Sequence, residues 1–225
     1  MVPVKTLLFF LISAFIIGCG GENAYSYSEN SDASDGTKSS GNSDLQGSTI
    51  DPENETLTKL NKAIKENKVK GWGSAKSNKD YYLAVANYLR SLPIKCNDSR
   101  AYSGPAKSLK WNEQLMQAAK EHSDDMLGKN YLSHEGSDGS TPKIRVQNSG
   151  FSGSYYAENL AYQKKSGIPY NGNEWLGRFI AWIQSSSGHC SNLMSPYSEF
   201  MGMYESKSKK GRNVTLYWTQ DFGKK

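Results

Sequence analysis

The chain has 225 residues, 27 Lys and Arg against 22 Asp and Glu, a net charge of +5, three cysteines and three histidines. No cysteine lies in a CxxC pair and no histidine in an HExxH run, which excludes the short-spacing metal sites. No G-x-S-x-G run is present either, which excludes a nucleophile-elbow hydrolase.

Residues 1–18 read as an export signal. MVPVK is a short positive segment, and LLFFLISAFII is an apolar run below the roughly 20 residues a membrane-spanning helix needs. An ordinary secretory cleavage site wants small residues three and one before the cut, and Ile16 is too bulky. Ile16-Ile17-Gly18-Cys19 instead resembles the lipobox of bacterial lipoproteins, so Cys19 is expected to carry lipid, palmitate included, and to anchor the mature chain. Cys96 and Cys190 then remain as an even pair. In an oxidising compartment that pair reads as a disulfide rather than as two isolated metal ligands.

Residues 19–55 are rich in Ser, Asn, Gly and Asp, without apolar periodicity. From Gly20 to Glu55 eight acids face Lys38 alone. A segment so polar cannot offset its conformational entropy by burial and is expected to be a disordered tether. Its reach is about 30–35 Å root mean square. With this segment at −7 and Lys5 at +1, residues 56–225 carry +11 of the +5 total. A lysine-rich solvated surface and a preference for anionic surfaces both fit that balance. Export argues against a nucleic-acid partner.

Residues 56–79 read as an N-terminal helical extension, with Leu57, Leu60 and Ile64 on one face of ETLTKLNKAIKENK, broken by GWGSAKSNK. The main domain is expected over 80–225. DYYLAVANYLRSLP is a helix stopped by Pro93. LKWNEQLMQAAKEHSDDMLGKN is a helix burying Leu115, Ala118, Ala119, His122 and Met126. Thr141 and Pro142 supply an N-cap and first-turn proline for a short helix ending near Gly150. YYAENLAYQ reads as a strand and NEWLGRFIAWIQSS as a helix. YSEFMGMYESKSKKGRNVTLYWTQDFG reads as a β-hairpin. Trp111, Trp182, Tyr217 and Trp218 are expected in the core, and His122 as a core histidine bonded to backbone. The order of elements suggests an α+β sandwich.

Five stretches, LKWNEQLMQAAKEHSDDM, NYLSHEGSDGSTPKIR, NSGFSGSYYAENLAY, WIQSSSGHCSNLMSPYSEFMG and YWTQDFG, resemble the CAP superfamily in order and spacing. That group takes in cysteine-rich secretory proteins, antigen 5 and pathogenesis-related proteins, and the match is to its bacterial branch. The resemblance implies an α-β-α sandwich with a small antiparallel sheet between helical layers, and it agrees with a Cys96–Cys190 bridge. It also implies a cleft of two histidines and two acids. Residue by residue these are His134, Glu158 and His189. Where animal and plant members carry the second acid, this chain has Gln184 and Ser185, and Glu199 is the substitute drawn from the bacterial pattern. His134, Glu158 and His189 suit zinc or, without metal, a hydrogen-bonded network in which carboxylates orient imidazoles. His134 read alone could simply cap the EGSDGS turn. Glu158, in a half-buried strand, needs a partner.

The expected function is a membrane-anchored, non-catalytic binding module of the bacterial cell envelope, a monomer facing the periplasm or the cell surface. Its ligand would be a lipid, a small molecule, or a host or envelope protein. The alternative is a metal-assisted hydrolase using His134, Glu158 and His189. Enzymatic activity stays open and leans against.

Overall fold

The computed structural model describes residues 52–167 and 170–225. The expected export signal, the expected lipid site Cys19 and the part of the expected tether up to residue 51 lie outside the described residues. Along the chain the helices are α1 (Pro52–Lys65), α2 (Asn78–Ser91), α3 (Glu113–Lys129), α4 (Pro142–Asn148), α5 (Glu174–Gln184) and α6 (His189–Met194). The strands are β1 (Lys110–Trp111), β2 (Ser154–Lys165), β3 (Phe200–Lys210) and β4 (Asn213–Lys224).

The sheet runs β1-β3-β4-β2. The β3–β4 hairpin and the β2–β4 pair are antiparallel, and β1 joins β3 in parallel. Side chains alternate across β4. Val214, Leu216, Trp218 and Phe222 enter the larger core with α1, α2, α5 and α6, whereas Tyr217 enters the smaller one beneath α3. Helices therefore cover both faces, and the fold is the expected α-β-α sandwich. Trp182, Tyr217 and Trp218 are buried as expected, and Trp111 is half-buried.

Local chemistry sets the element ends. Ser77 and Asp80 form a reciprocal capping box on α2. Thr141 caps α4 by accepting from the Ile144 amide, with Pro142 in the first turn. Helix α3 lies so close to β3 that a Cβ on Gly202 would sit 2.0 Å from the Met116 amide nitrogen, so only glycine fits there.

Three details differ from the sequence reading. Leu109 and the two residues of β1 fell inside the helix expected at 109–130. Asn112 caps α3 through the Leu115 amide, so the helix cannot start earlier, and Lys110 and Asn112 donate instead to the carbonyls of Glu199 and Met201. Helix α1 begins at Pro52, inside the stretch assigned to the tether. Nor is the extension an appendage, because Leu60, Ala63, Ile64 and Val69 are buried in the main core. Arg90 is fully buried, donating to the carbonyls of Lys107, Leu193 and Ser195, and burial pulls its pKa down to about 10.

Cys96 and Cys190 form a disulfide across 94 residues, tying the segment after α2 to α6. A closed loop of that length restricts the unfolded chain by about 4–5 kcal/mol in the chain-entropy account. The Cys96→Ala/Cys190→Ala double variant is expected to lose stability of that order in urea unfolding. A loss under about 1 kcal/mol would show that packing alone holds the two segments together.

Candidate functional site

Strand β2 is an edge of the sheet, and the expected site residues gather along it. Glu158 sits in β2 directly opposite Asp221 of β4, which in turn faces Gly202 of β3. The Glu158 side chain is completely buried. One carboxylate oxygen lies 2.6 Å from Nδ1 of His134, and the other accepts from Arg145 Nη2 at 2.8 Å. Arg145, in α4, also donates to the carbonyls of His134 and Ser140 at 3.0 and 2.9 Å. One guanidinium thus fixes the loop that carries His134 and neutralises the acid that orients it. His134 keeps 56% of its side chain exposed, so its ring faces solvent from a rigid mount.

Asp221 is 1% exposed, and no donor reaches either of its carboxyl oxygens. Burial, and after it the Glu158 charge, push its carboxyl well above the usual carboxylate range. Two adjacent buried carboxyls cannot both ionise against one arginine. The shift favours the neutral form of Asp221, a second acid that sits opposite Glu158 in the sheet. The substitute suggested by sequence, Glu199, is exposed just ahead of β3, its backbone bonded to Lys110 and Gly223. It is not brought to Glu158. The missed signal was alternation: Tyr217, Thr219 and Asp221 share one face of β4, and an acid at an inward position demands a partner.

His189 opens α6 after Gly188, which adopts φ 95°. The Oγ atoms of Ser185 and Ser187 lie 3.0 and 2.9 Å from its Nδ1. Burial, then the charge of His134, lower the His189 pKa to about 4. His134 and His189 are close enough to feel each other but have different supports, one a carboxylate and the other hydroxyls. His122 stands apart from the pair as a core histidine, bonded through Nε2 to the Ser133 carbonyl at 2.7 Å. Asn159 serves the scaffold, donating to the His189 carbonyl at 3.3 Å and accepting from Asn192 at 2.8 Å.

Zinc prefers three or four protein ligands. Among the described residues no group of three or more His, Cys, Asp or Glu is placed to hold a metal ion. Glu158 is taken by Arg145 and His134, and serine hydroxyls occupy Nδ1 of His189. As placed, His134, Glu158 and His189 do not make up a three-residue metal group among the described residues.

The model of the CAP cysteine-rich secretory protein family matches residues 83–222. The chain belongs to the CAP family. Among solved structures, the CAP domain is similar to an extracellular SCP-domain protein of Bacillus anthracis, at 21% identity and a TM-score of 0.46, over 67% of this chain and 45% of that one. The chain thus spans less than half of the Bacillus protein. It is also similar to an outer surface protein of Borrelia burgdorferi, at 18% identity and a TM-score of 0.44, over 67% of this chain and 97% of that one. No curated protein matches in sequence.

Two measurements follow from this geometry. Glu158→Gln leaves Arg145 buried beside a neutral amide and should cost about 3–5 kcal/mol, because the surviving charge loses its partner. Asp221→Asn replaces an already neutral group and should change stability by less than about 1 kcal/mol. Equal losses in both would overturn the assignment of the proton to Asp221. For His189, folded and unfolded states are both neutral above pH 6.5, its ordinary value, and only the unfolded chain takes the proton between there and about 4. Stability should therefore fall as pH drops through that window and level off below it. His189→Asn should flatten that segment of the stability profile, and an unchanged slope would place the shift elsewhere.

Proposed function

We propose that the protein is an exported, lipid-anchored CAP binding module without catalytic activity, which holds a ligand at the β2 edge between His134 and His189. The observation that carries the non-catalytic reading is the state of Glu158. Both of its oxygens are committed, to Arg145 and to His134, so it is not free to take a proton from water. Asp221 is buried with its carboxyl pushed well above the usual carboxylate range, and Cys190 is fully buried in its disulfide. His189, at about 4, is too weak a base at neutral pH to activate a nucleophile well. What remains is a rigid polar edge with imidazole and hydroxyl groups, suited to hydrogen-bonding a ligand without transforming it. The His134 ring, with 56% of its side chain exposed, is the part of the site that solvent reaches.

The lipobox-like run Ile16-Ile17-Gly18-Cys19 supports the lipid anchor, and with it an envelope location. No helix among the described residues is long and apolar enough to cross a membrane. The solved relatives described as extracellular or outer surface proteins agree with an exported role.

One observation favours a hydrolase as the second reading: Ser187 Oγ lies 2.9 Å from His189 Nδ1, a serine–imidazole pair. The test uses the full-length protein, with Ser187→Ala and His189→Ala as controls. Ester and peptide hydrolysis should match in all three. Activity lost in both variants would replace the binding module with the hydrolase. Separately, Cys19→Ser should move the protein from the membrane pellet to the soluble fraction of cells. Retention in the pellet would overturn the lipid anchor.

A further inference from the structure

The end of the sheet opposite Glu199 carries a concentration of positive charge that the His134–His189 edge does not use. Residues 206–213, the turn of the β3–β4 hairpin and its approaches, hold Lys207, Lys209, Lys210 and Arg212 and no acid. The register sets Lys209 opposite Val214 and Lys210 opposite Asn213. From the other side of β4, Lys165 and Lys164 of β2 face Val214 and Thr215. Strands β2 and β3 and the turn thus bring their cations to one end of the sheet. Lys164, Lys207, Lys209, Lys210 and Arg212 are all exposed. Lys164 lies six residues beyond Glu158 in β2. That spacing is about 20 Å along a strand, so this tip is distinct from the cleft.

Little negative charge answers these cations. Among the described residues none of the five exposed side chains is in a salt bridge. Lys165 is matched by Glu174 at 2.6 Å. Glu205, the one acid in β3, is half-buried and accepts from the Tyr170 hydroxyl and the Trp218 ring nitrogen at 2.7 and 2.8 Å. Lysines on an outer strand deter pairing with another chain. That need accounts for Lys164, Lys207 and Lys209, which lie in the two outer strands. It does not account for Lys210 and Arg212, at and beyond the end of β3, where the edge itself ends.

We propose that this tip docks on an anionic phospholipid bilayer, its cations meeting the headgroup phosphates. Three features select a charged surface over a small anion or a single phosphate. The cations lie on an exposed hairpin end, and the hollows beside α4 and beside α2 are lined by none of them. Four of the five are lysines, strongly hydrated point charges without the planar fork that grips one phosphate bidentately. Residues 206–213 include no apolar side chain to insert among acyl chains, so the contact is electrostatic. Clusters of about four or more Lys and Arg are drawn to anionic lipid in this way. Docking here is independent of lipidation at Cys19.

The test is co-sedimentation of the full-length chain carrying Cys19→Ser with vesicles of phosphatidylcholine, alone or with about one-third phosphatidylglycerol to give a negative surface. The neutral vesicles report whatever the apolar N-terminal run contributes. Additional saturable binding is expected on the anionic vesicles, lost as salt shortens the Debye length from about 10 Å at 0.1 M to about 3 Å at 1 M. Lys209→Gln/Lys210→Gln should weaken it about fivefold for each charge removed. Lys110→Gln/Lys224→Gln removes the same net charge at the opposite end of the sheet, where these residues pair with Phe200 and Ser154. It should weaken binding less than about twofold, because charges beyond a Debye length are screened. Unchanged circular dichroism shows that both variants keep the fold. Equal weakening by the two pairs would reduce the effect to net charge, and equal binding to both vesicles would remove it; either overturns the proposal. Tighter binding to alginate, a soluble polyuronate, than to the vesicles at matched charge would also overturn it and assign the tip to an acidic glycan. None of these outcomes bears on the reading of the His134–His189 edge.

Discussion

The ion pair between Glu158 and Arg145 is the constraint on which the rest of the site rests. A carboxylate with no exposed surface, in the middle of a sheet strand, is tolerated only with a matched charge and filled hydrogen-bond positions. Arg145 supplies both, and its remaining donors bind the His134 and Ser140 carbonyls. Helix α4, the loop before it and strand β2 are thereby locked to one another through a single side chain. His134 points where it does because the acid that orients it cannot move. Burial and the neighbouring Glu158 push the Asp221 carboxyl well above its usual range, since one arginine cannot balance two buried anions.

The same pair explains why the two histidines differ. His134 leans on an anion, while His189 leans on the hydroxyls of Ser185 and Ser187 and is buried as well. Hydroxyls supply no charge to offset the burial that lowers the His189 pKa. The two imidazoles therefore have unlike supports, a carboxylate for His134 and hydroxyls for His189.

Much of this was legible in sequence, and what was not has a common physical origin. Apolar periodicity placed α2, α3, α5 and the terminal hairpin, because those elements bury one continuous face. Thr141-Pro142 placed the start of α4, because capping chemistry is local. Helix α6, six residues long, was hidden in a serine-rich stretch, since so short a helix carries too few turns to show a period. Strand β1 was absorbed into the neighbouring helix for the same reason. Asp221 and Arg145 were visible as residues but not as partners. Their roles come from the β2–β4 register and from a contact between α4 and β2, and neither is encoded by spacing along the chain.

The place of the site follows from the sheet's own needs. Strand β2 has β4 on one side only, and an uncovered strand edge is a template for pairing with another chain. Here side chains do the covering. Asn192 of α6 donates to the Glu158 carbonyl at 3.1 Å and to Asn159 Oδ1 at 2.8 Å, while Arg100 holds Asn192 and the Gly188 carbonyl from the disulfide-tied segment. The residues that protect the edge are thus the ones that seat His189 beside it. The Cys96–Cys190 bridge keeps α6 against that edge, so the device that blocks unwanted strand pairing also builds the cleft. A variant that loosened α6 would therefore unseat His189 and expose the strand in one event.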